Sequence, residues 1–397
     1  MGAPKRKIIN DPVYGFITIN HPLIFSILAH PYYQRLRRIT QMAMGQLVYP
    51  GAVHTRFHHS LGAYHLMGNA VNELRSKGTE ITEEEEIAVK AAILLHDIGH
   101  GPYSHALEHV VVKGVHHETL SLQIMHEMNA AFDGQLTLAI QIFTGAYHKP
   151  FLHQLISGQL DVDRMDYLSR DSFFCGVSEG VIGYDRILKM LVVVDGQLMI
   201  EEKGIYSVEK FLVARRQMYW QVYLHKTVLS AEKMLVKILE RARSLYTSND
   251  AAMQTGSALD YFLGTFNGTM DAHALAQFCA LDDHDIMHAI KRWSTHPDKV
   301  LSLLCSRFLS RQLYKTTIQS EPFLPATIAA KQKESLDAFE LDPSQVGYVC
   351  FTGEATNTLY QTKDERINIL FKDGSIKDIS LIDNALIHQN LSAAVKK

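Results

Sequence analysis

The segment HDIGHGP at residues 96–102 follows an apolar run from Ala88 to Leu95, and it decides the fold that we predict for this chain. Thr82, which four glutamates follow, is typical of a helix start: its hydroxyl can cap the helix, and acidic residues favour the positive end of the helix dipole. The glycines and the proline of the segment predict the end of the same helix. The pattern therefore indicates a buried helix that ends on a histidine and an aspartate.

Two further motifs carry similar chemistry, RFHHS at 56–60 and LDVDRMDY at 160–167. A lone His-Asp pair is usually a helix cap or a surface pair, but the three motifs together offer several imidazoles and carboxylates. Such a mixed nitrogen and oxygen set suits one divalent ion such as Mn, Fe, Ni or Zn. The chain also has 21 histidines, many of them between His54 and His126, and histidine is the commonest metal ligand.

Outside these motifs, apolar residues at spacings of three and four predict a mainly helical chain. The expected helices are 21–45, 56–77, 82–95, 118–132, 135–144, 149–170 with a Ser-Gly interruption, 207–245, 272–279, 284–293, 297–305 and 326–339. Strands are expected in 7–20, 192–200, 346–351, 367–371 and 376–379, the last after the turn dipeptide Asp373-Gly374. We therefore predict a mainly α fold, a helical core at 1–248 and a small α+β C-terminal portion at 249–397.

The composition argues against several classes of protein. A formal net charge of -3 gives no electrostatic reason to expect general nucleic-acid binding. No apolar run approaches the roughly 18 residues that span a bilayer. The four cysteines lie far apart and form no C-x-x-C pair. We expect a cytoplasmic protein with no membrane contact and without nucleic acid as a partner.

The three motifs resemble those of the HD phosphohydrolase superfamily. Within it they are similar to the deoxynucleoside triphosphate triphosphohydrolases, which include the catalytic domain of the mammalian SAM-and-HD-domain enzyme. The resemblance covers most of residues 7–320 and rests on Gln41, 56–62, 96–105, 161–171, Arg215, 223–226 and 313–315. It implies an HD-domain helical core and a metal-dependent hydrolase that cleaves a deoxynucleoside triphosphate to deoxynucleoside and triphosphate.

The resemblance also implies roles for individual residues. The implied metal ligands are His59, His96, Asp97 and Asp163. His59 is chosen over His58 because the family's ligand directly precedes a Ser-Leu-Gly sequence. The implied catalytic residues are His105, His117 and Glu118. The implied substrate contacts, to the triphosphate and the sugar, are Gln41, Arg56, His100, Arg164, Tyr167, Asp171, Arg215 and Tyr223, with Met42 near the 2′ position.

General chemistry agrees with these implied roles. A divalent ion lowers the pKa of bound water toward about 7 and polarises a phosphoryl oxygen. A nearby histidine can protonate the departing oxygen, which is worth about 10²–10⁴ in rate, and arginines can bind the triphosphate through paired hydrogen bonds. We expect attack of the activated water on the α-phosphorus, with Mg on the substrate phosphates.

Several alternatives stay open. His105 could be structural, and Arg215 could simply pair with a carboxylate. Five other histidines are expected to serve packing, capping or surface roles: His54, His65, His109, His116 and His126. The chain could instead be an HD phosphatase acting on nucleoside monophosphates, cyclic nucleotides or (p)ppGpp. It could also be a nucleotide-binding regulator or a nucleic-acid-binding module without turnover.

Regulation is the point at which the chain departs from its allosteric relatives, which bind activating nucleotides between subunits. Basic and polar residues at the matching positions are Lys7, Asn10, Lys226, Arg311 and Lys315. Ala29, however, stands where the mammalian enzyme has an acidic residue that reads guanine, and alanine cannot accept a hydrogen bond from a guanine N–H. The apolar stripe expected on the 207–245 helix, with the likeness to oligomeric relatives, predicts self-association to a dimer or tetramer.

Overall fold

The computed structural model describes residues 6–112, 114–247, 250–354, 356–357, 366–382 and 395–396, and most of these residues are helical. The helices are α1 Pro22–Ala29, α2 Pro31–Gln34, α3 Arg56–Ser76, α4 Glu83–Leu95, α5 Glu108–Val111, α6 His117–Ala131, α7 Thr137–Phe143, α8 Pro150–Gln154, α9 Val162–Cys175, α10 Tyr184–Met190, α11 Ile205–Met218, α12 Lys226–Leu245, α13 Leu259–Gly264, α14 Ala272–Ala280, α15 Asp283–Trp293, α16 Lys299–Leu309 and α17 Pro325–Phe339. The predicted mainly α class is confirmed. No helix in the described ranges is both long enough and apolar enough to cross a membrane.

The strands are short. They are β1 Lys7–Asp11, β2 Gly15–Ile19, β3 Leu191–Val194, β4 Gln197–Glu201, β5 Thr356–Asn357, β6 Asn368–Leu370, β7 Ile376–Asp378 and β8 Val395–Lys396. β1 and β2 form the antiparallel hairpin that the sequence predicts, and β5 pairs with β8. A four-stranded sheet has the order β3-β4-β6-β7, in which only the β4–β6 pair is parallel. This sheet therefore joins residues from both sides of the predicted domain boundary, whose residues 248–249 lie outside the described ranges.

Helix α4 forms the centre of the core that positions the site. Thr82 Oγ1 accepts a hydrogen bond from the Glu85 amide at 3.1 Å, and the Glu85 carboxylate accepts one from the Thr82 amide at 2.8 Å. This reciprocal capping box starts the helix as predicted. Its last four residues, Ala92 to Leu95, are fully buried, and the helix packs against α3 and α7, while α3 packs against α9. Three of these helices carry or adjoin the residues of the site.

The structure differs from the prediction in several places. The expected helix 21–45 consists of α1, α2 and two 3₁₀ helices, Arg35–Arg38 and Gly45–Leu47. The expected helix 207–245 is divided into α11 and α12 by a π-helical segment, Tyr219–Tyr223. The Ser-Gly interruption expected within 149–170 is confirmed, because it separates the short α8 from α9. The strand predicted at 346–351 is wrong, because Pro343–Tyr348 forms a 3₁₀ helix that an Asp342 capping box starts. The apolar stripe of α12 is buried within the chain, so it does not supply the exposed surface for which it was invoked.

Candidate metal centre and catalytic cleft

Three of the four predicted metal ligands, His59, His96 and Asp163, bring ligand atoms within 4.8 Å of one another between α3, the end of α4 and α9, and Asp97 adjoins this group. His59 Nε2 lies 3.4 Å from His96 Nε2 and 3.0 Å from Asp163 Oδ1. His96 Nε2 lies 3.4 Å from the same Asp163 oxygen and 3.3 Å from Asp97 Oδ1. Ligand bonds of about 2.0–2.2 Å in a tetrahedral site place the donor atoms roughly 3.4 Å apart. The residues present therefore fit a divalent transition metal.

Hydrogen bonds on the far side of each ring turn the histidines toward this point. His59 Nδ1 lies 2.7 Å from Asp166 Oδ2, and His96 Nδ1 lies 2.6 Å from the Ile93 carbonyl oxygen. Metal-binding histidines typically donate their second ring N–H to a carboxylate or a carbonyl, which fixes the tautomer and leaves the other nitrogen for the metal. Both rings have this arrangement.

The adjacent His58 does not face this point. Its Nδ1 accepts a hydrogen bond from the Thr55 amide at 3.1 Å and so completes the N-terminal cap of α3. The choice of His59 as the ligand agrees with this geometry.

The ionisable groups of the centre shift one another's pKa values. Burial lowers the pKa of His59, but its hydrogen bonds to Asp163 and Asp166 outweigh burial and raise that pKa to about 10. Burial raises the pKa of Asp163, yet the hydrogen bonds from His59 and His96 hold it well below its usual range. The pKa of Asp97 is also lowered, since the charges of His96 and Arg56 outweigh the effect of its burial. Both carboxylates therefore stay ionised, as a divalent cation requires.

Three histidines and one carboxylate form a cluster next to the metal centre. The Glu108 carboxylate lies 3.0 Å from His105 Nδ1 and 2.6 Å from His117 Nδ1, and ring nitrogens of His100, His105 and His117 lie within 4.8 Å of one another. The His105 side chain is 66% exposed, which leaves it open to a substrate. Glu118, the predicted acidic partner of His117, is exposed, and among the described residues no hydrogen bond or ion pair joins it to these histidines. The structure places Glu108 in that position instead.

Backbone strain helps to place His105. Tyr103 and Ser104 both have left-handed backbone angles, with φ of 52° and 51°. This region is rarely occupied by residues other than glycine and is costly unless the surroundings enforce it. Here the Tyr103 amide donates to Asp283 Oδ1 at 2.7 Å and the Ser104 hydroxyl donates to the Thr40 carbonyl at 3.1 Å.

The three predicted phosphate-binding arginines differ in their partners. Arg56 is buried, forms an ion pair with Asp97 and donates to Ser104 Oγ. Arg164 is half-buried and lies 3.2 Å from Asp161 Oδ2. Arg215 is only 8% exposed and donates to the neutral Gln159 Oε1 at 3.1 Å. Among the described residues no carboxylate pairs with Arg215, so the alternative of a structural ion pair is not observed.

The predicted sugar contacts meet at one buried carboxylate. Asp171 Oδ1 lies 2.7 Å from His54 Nε2, and Asp171 Oδ2 accepts a hydrogen bond from the Tyr223 hydroxyl at 2.7 Å. The backbone N–H of Gln41 donates a hydrogen bond to the backbone carbonyl oxygen of His54 at 3.0 Å. Gln41 Oε1 is buried and has no hydrogen-bond partner among the described residues. Tyr167 lies beside Tyr223, with ring centroids 6.3 Å apart.

Two residues of the site escaped the sequence reasoning. Glu108 follows His105 by three residues, a spacing that fits pairing within one turn, and this signal could have identified it. His54 had been expected only to pack or cap, but it contacts both sugar-binding candidates. No signal in the sequence marks that role, because Asp171 lies 117 positions away.

The five candidate regulatory residues do not form a site in the single chain. Lys7 and Asn10 lie on β1, Lys226 begins α12, and Arg311 and Lys315 follow α16, all of them exposed. Arg311 donates to the Leu47 carbonyl oxygen. Within the described residues no contact joins the two on β1 to the other three, so a role for all five in one pocket stays a prediction.

Comparisons with known proteins agree with this geometry. The family model of the HD domain matches residues 56–171, and that of the HD associated region matches 182–262. The protein YwfO of Bacillus subtilis, whose function is uncharacterised, is 33% identical over 95% of this chain and 87% of its own length. A phosphohydrolase from Bacteroides thetaiotaomicron is 48% identical, with a TM-score of 0.92 over 99% of this chain and 98% of that protein. The bovine deoxynucleoside triphosphate triphosphohydrolase SAMHD1 is 27% identical over 98% of this chain and 71% of its own length. These matches span the helices that carry the candidate metal centre and Arg215, and the chain belongs to the HD-domain phosphohydrolase family.

Proposed function

We propose that this phosphohydrolase cleaves deoxynucleoside triphosphates to deoxynucleoside and triphosphate. The bovine relative carries the name of this activity. On this chain the support comes from groups that adjoin one another: Asp97 of the candidate metal centre contacts both Arg56 and His100, and Asp171 lies on the same helix, α9, as the ligand Asp163. The proposal assigns these groups to the metal, the leaving group, the phosphates and the sugar.

The main support for the proposal is that Arg215 is buried and has no carboxylate partner among the described residues. A buried cation without a carboxylate partner is costly, because burial removes its hydration and nothing of opposite charge replaces it. Such a residue is usually retained for a ligand that supplies the missing charge. Arg215 Nε is also buried without a hydrogen-bond partner among the described residues. With Arg164, it offers more cationic donors than a single phosphate needs, which favours a long phosphate chain.

The protein's own side chains would share the chemical work. A metal held by His59, His96, Asp97 and Asp163 would polarise a phosphoryl oxygen and activate water. His105, whose Nδ1 contacts Glu108, would transfer a proton to the departing oxygen. Asp171 and the unpartnered Gln41 Oε1 would bind the sugar hydroxyl and orient the substrate. A Mg ion would accompany the substrate phosphates.

The experiment that tests this proposal is product analysis. The purified full chain is incubated with Mn and, separately, with dATP, dGTP and dAMP. We expect inorganic triphosphate and deoxynucleoside from the two triphosphates and no reaction with dAMP. Release of phosphate from dAMP would instead support an HD phosphatase of the monophosphate type.

Two variants separate catalysis from binding. Asp97→Ala should abolish hydrolysis together with metal binding. Arg215→Gln should reduce kcat/KM for dATP by at least tenfold while the bound metal stays unchanged. If Asp97→Ala hydrolysed dATP at the rate of the unaltered protein, the metal-dependent activity would be refuted. A chain that binds nucleotides without any turnover would be a regulator.

A further inference from the structure

Arg170 is a fully buried cation held between two carboxylates behind the metal centre. Its Nε and Nη2 donate to Asp166 Oδ2 and Oδ1 at 2.9 and 3.0 Å. Its Nη1 lies 2.8 Å from Asp11 Oδ2, and its Nη2 lies 3.3 Å from Asp11 Oδ1. Asp166 Oδ2 is also the atom that lies 2.7 Å from His59 Nδ1. One continuous chain of charged contacts therefore connects Asp11 to His59.

Asp11 belongs to the hairpin β1–β2 and not to the HD helices. It is the last residue of β1, and its Oδ1 accepts hydrogen bonds from the amides of Val13 and Tyr14 at 2.9 and 3.0 Å. The Arg170 guanidinium lies 5.4 Å from the centre of the Tyr14 ring, and this ring stacks on His65 of α3. The Asp11 carboxylate thus shapes the hairpin turn and anchors it on α9, and the Tyr14 ring anchors the same turn on α3.

The contacts of this network can fix the orientation of the His59 ring. Two paired contacts fix the plane of the guanidinium, and the guanidinium fixes both oxygens of Asp166. A buried ion network of this kind is weak support for stability, since apolar residues of similar volume often serve as well. Carboxylates that contact metal-binding histidines, by contrast, set ring orientation and ligand basicity, and their loss typically weakens metal binding about 10- to 100-fold.

We propose that Asp11 is a positioning residue for the metal centre, acting through Arg170 and Asp166 on His59. The docking of the hairpin and the affinity for the metal are then linked, and each strengthens the other. This inference rests on the metal centre that the proposed function also uses. It does not depend on which phosphate ester is the substrate.

The first test is metal affinity of the Asp11→Asn variant, measured by titrating Mn and Zn into chelator-treated full-length protein. Asparagine keeps an oxygen for the turn amides but removes the charge that faces Arg170. We expect Mn affinity to fall about tenfold, at the lower end of the range for outer contacts of a metal ligand. Asp11→Glu, which keeps the charge, should recover part of the loss.

Asp298→Asn is the matched control. Like Asp11, Asp298 has a carboxylate that accepts a hydrogen bond from a backbone amide, that of Leu301 at 2.8 Å, and forms an ion pair with an arginine, Arg241. Both variants should lower the thermal stability of the metal-free protein, but only Asp11→Asn should weaken metal binding. Equal metal affinities of the Asp11→Asn variant and the unaltered protein, or equal losses in the two variants, would overturn the proposal.

Two further measurements isolate the pathway. In an Asp166→Asn background, adding Asp11→Asn should cause little further loss of metal affinity, because the connection is already broken. In the unaltered protein, Mn should slow hydrogen exchange of the Val13 and Tyr14 amides, a result that requires no variant to fold. Additive losses, or exchange that Mn leaves unchanged, would contradict the linkage. None of these readouts involves dNTP hydrolysis, so they can fail while the proposed activity stands, or succeed while it falls.

Discussion

Gly62 is the position at which one added methyl group would act directly on the support of the metal. A Cβ atom there would lie 1.9 Å from Asp166 Oδ1 and 2.1 Å from Arg170 Nη2. Alanine normally stabilises a helix interior relative to glycine by about 0.5–1 kcal/mol, but here it must displace a buried ion pair. We expect Gly62→Ala to lower the melting temperature and to weaken Mn binding by at least tenfold, as measured by thermal denaturation and metal titration.

Gly68 of the same helix provides the control. A Cβ atom there would meet only the flexible end of Lys90, at 3.1 Å. Gly68→Ala should therefore leave metal affinity unchanged and alter stability little. Tight Mn binding by the Gly62→Ala variant would show that the Asp166–Arg170 pair does not control the metal ligand.

His54 should affect the substrate and not the metal. It is fully enclosed, stacks on Phe174 with ring centroids 4.4 Å apart, and contacts Asp171. His54→Phe keeps the ring and removes a hydrogen bond to a charged group, worth about 1.5–3 kcal/mol. We expect kcat/KM for dATP to fall at least tenfold with the metal content unchanged. The control is His273→Phe, at a histidine that packs edge-on against Tyr261, and it should leave both kcat/KM and metal content unchanged. An unchanged kcat/KM for His54→Phe would exclude a role in substrate positioning.

The residue scale also shows how far the sequence alone could lead. The ligands His59, His96, Asp97 and Asp163 were predictable because they occur in motifs whose order and spacing mark a family. The contacts of Asp11 and His54 were not, because each joins positions more than a hundred residues apart. Such pairs depend on how the helices pack, and local patterns do not specify packing.

Among the elements, local signals identified most helices and the Ser-Gly interruption within 149–170, but they missed the interruption of 207–245. The capping box at Thr82 marked the start of α4 because its two hydrogen bonds join residues three positions apart. The π-helical segment Tyr219–Tyr223 was not foreseen, since the apolar pattern continues through it. π-helical turns are rare and concentrate at functional sites, and this segment carries Tyr223 to Asp171.

Glu232, a residue of helix α12, should make the free energy of unfolding depend on pH. Burial raises the pKa of this carboxyl to about 7 from 4.5, against a smaller opposing effect of Lys233. The folded state therefore holds the proton more tightly than the unfolded state, and the free energy of unfolding falls as pH rises from about 4.5 through 7. Glu232→Gln should leave stability unchanged at pH 4 and increase it by up to about 3 kcal/mol at pH 8, since each pKa unit corresponds to about 1.4 kcal/mol.

Urea denaturation at the two pH values measures this difference. Glu240→Gln, at an exposed glutamate of the same helix, is the control and should behave alike at both. A gain in stability for Glu232→Gln that is equal at pH 4 and pH 8 would show that the carboxyl is not strained by its burial.

At the scale of the whole molecule, the sheet β3-β4-β6-β7 joins the HD core to the tail. The pairing of Ile200 with Ile369 is parallel and spans well over a hundred positions. A sequence pattern can indicate a short strand, and it did for β6 and β7, but it does not name the partner. The boundary predicted at 248–249 divides the chain at a polar stretch, while the sheet and the packing of α12 on α16 connect the two sides.

The sequence also predicts self-association. Because the apolar stripe of α12 is buried, we now expect the contact surface on the β1–β2 hairpin. Phe16 is 71% exposed and Ile8 is 53% exposed. Phe16 pairs with Asn10, two residues from Ile8, so both side chains lie on one face of the hairpin. We choose this face as the candidate contact surface because exposed apolar residues grouped on one face, unlike single ones, can mark protein contact sites. We expect sedimentation as a dimer or tetramer at micromolar concentration and a shift toward monomer for Phe16→Lys. Tyr206→Lys, at a residue that is 79% exposed on α11, should keep the assembly intact. If the unaltered chain sediments as a strict monomer, these side chains serve some other partner or none.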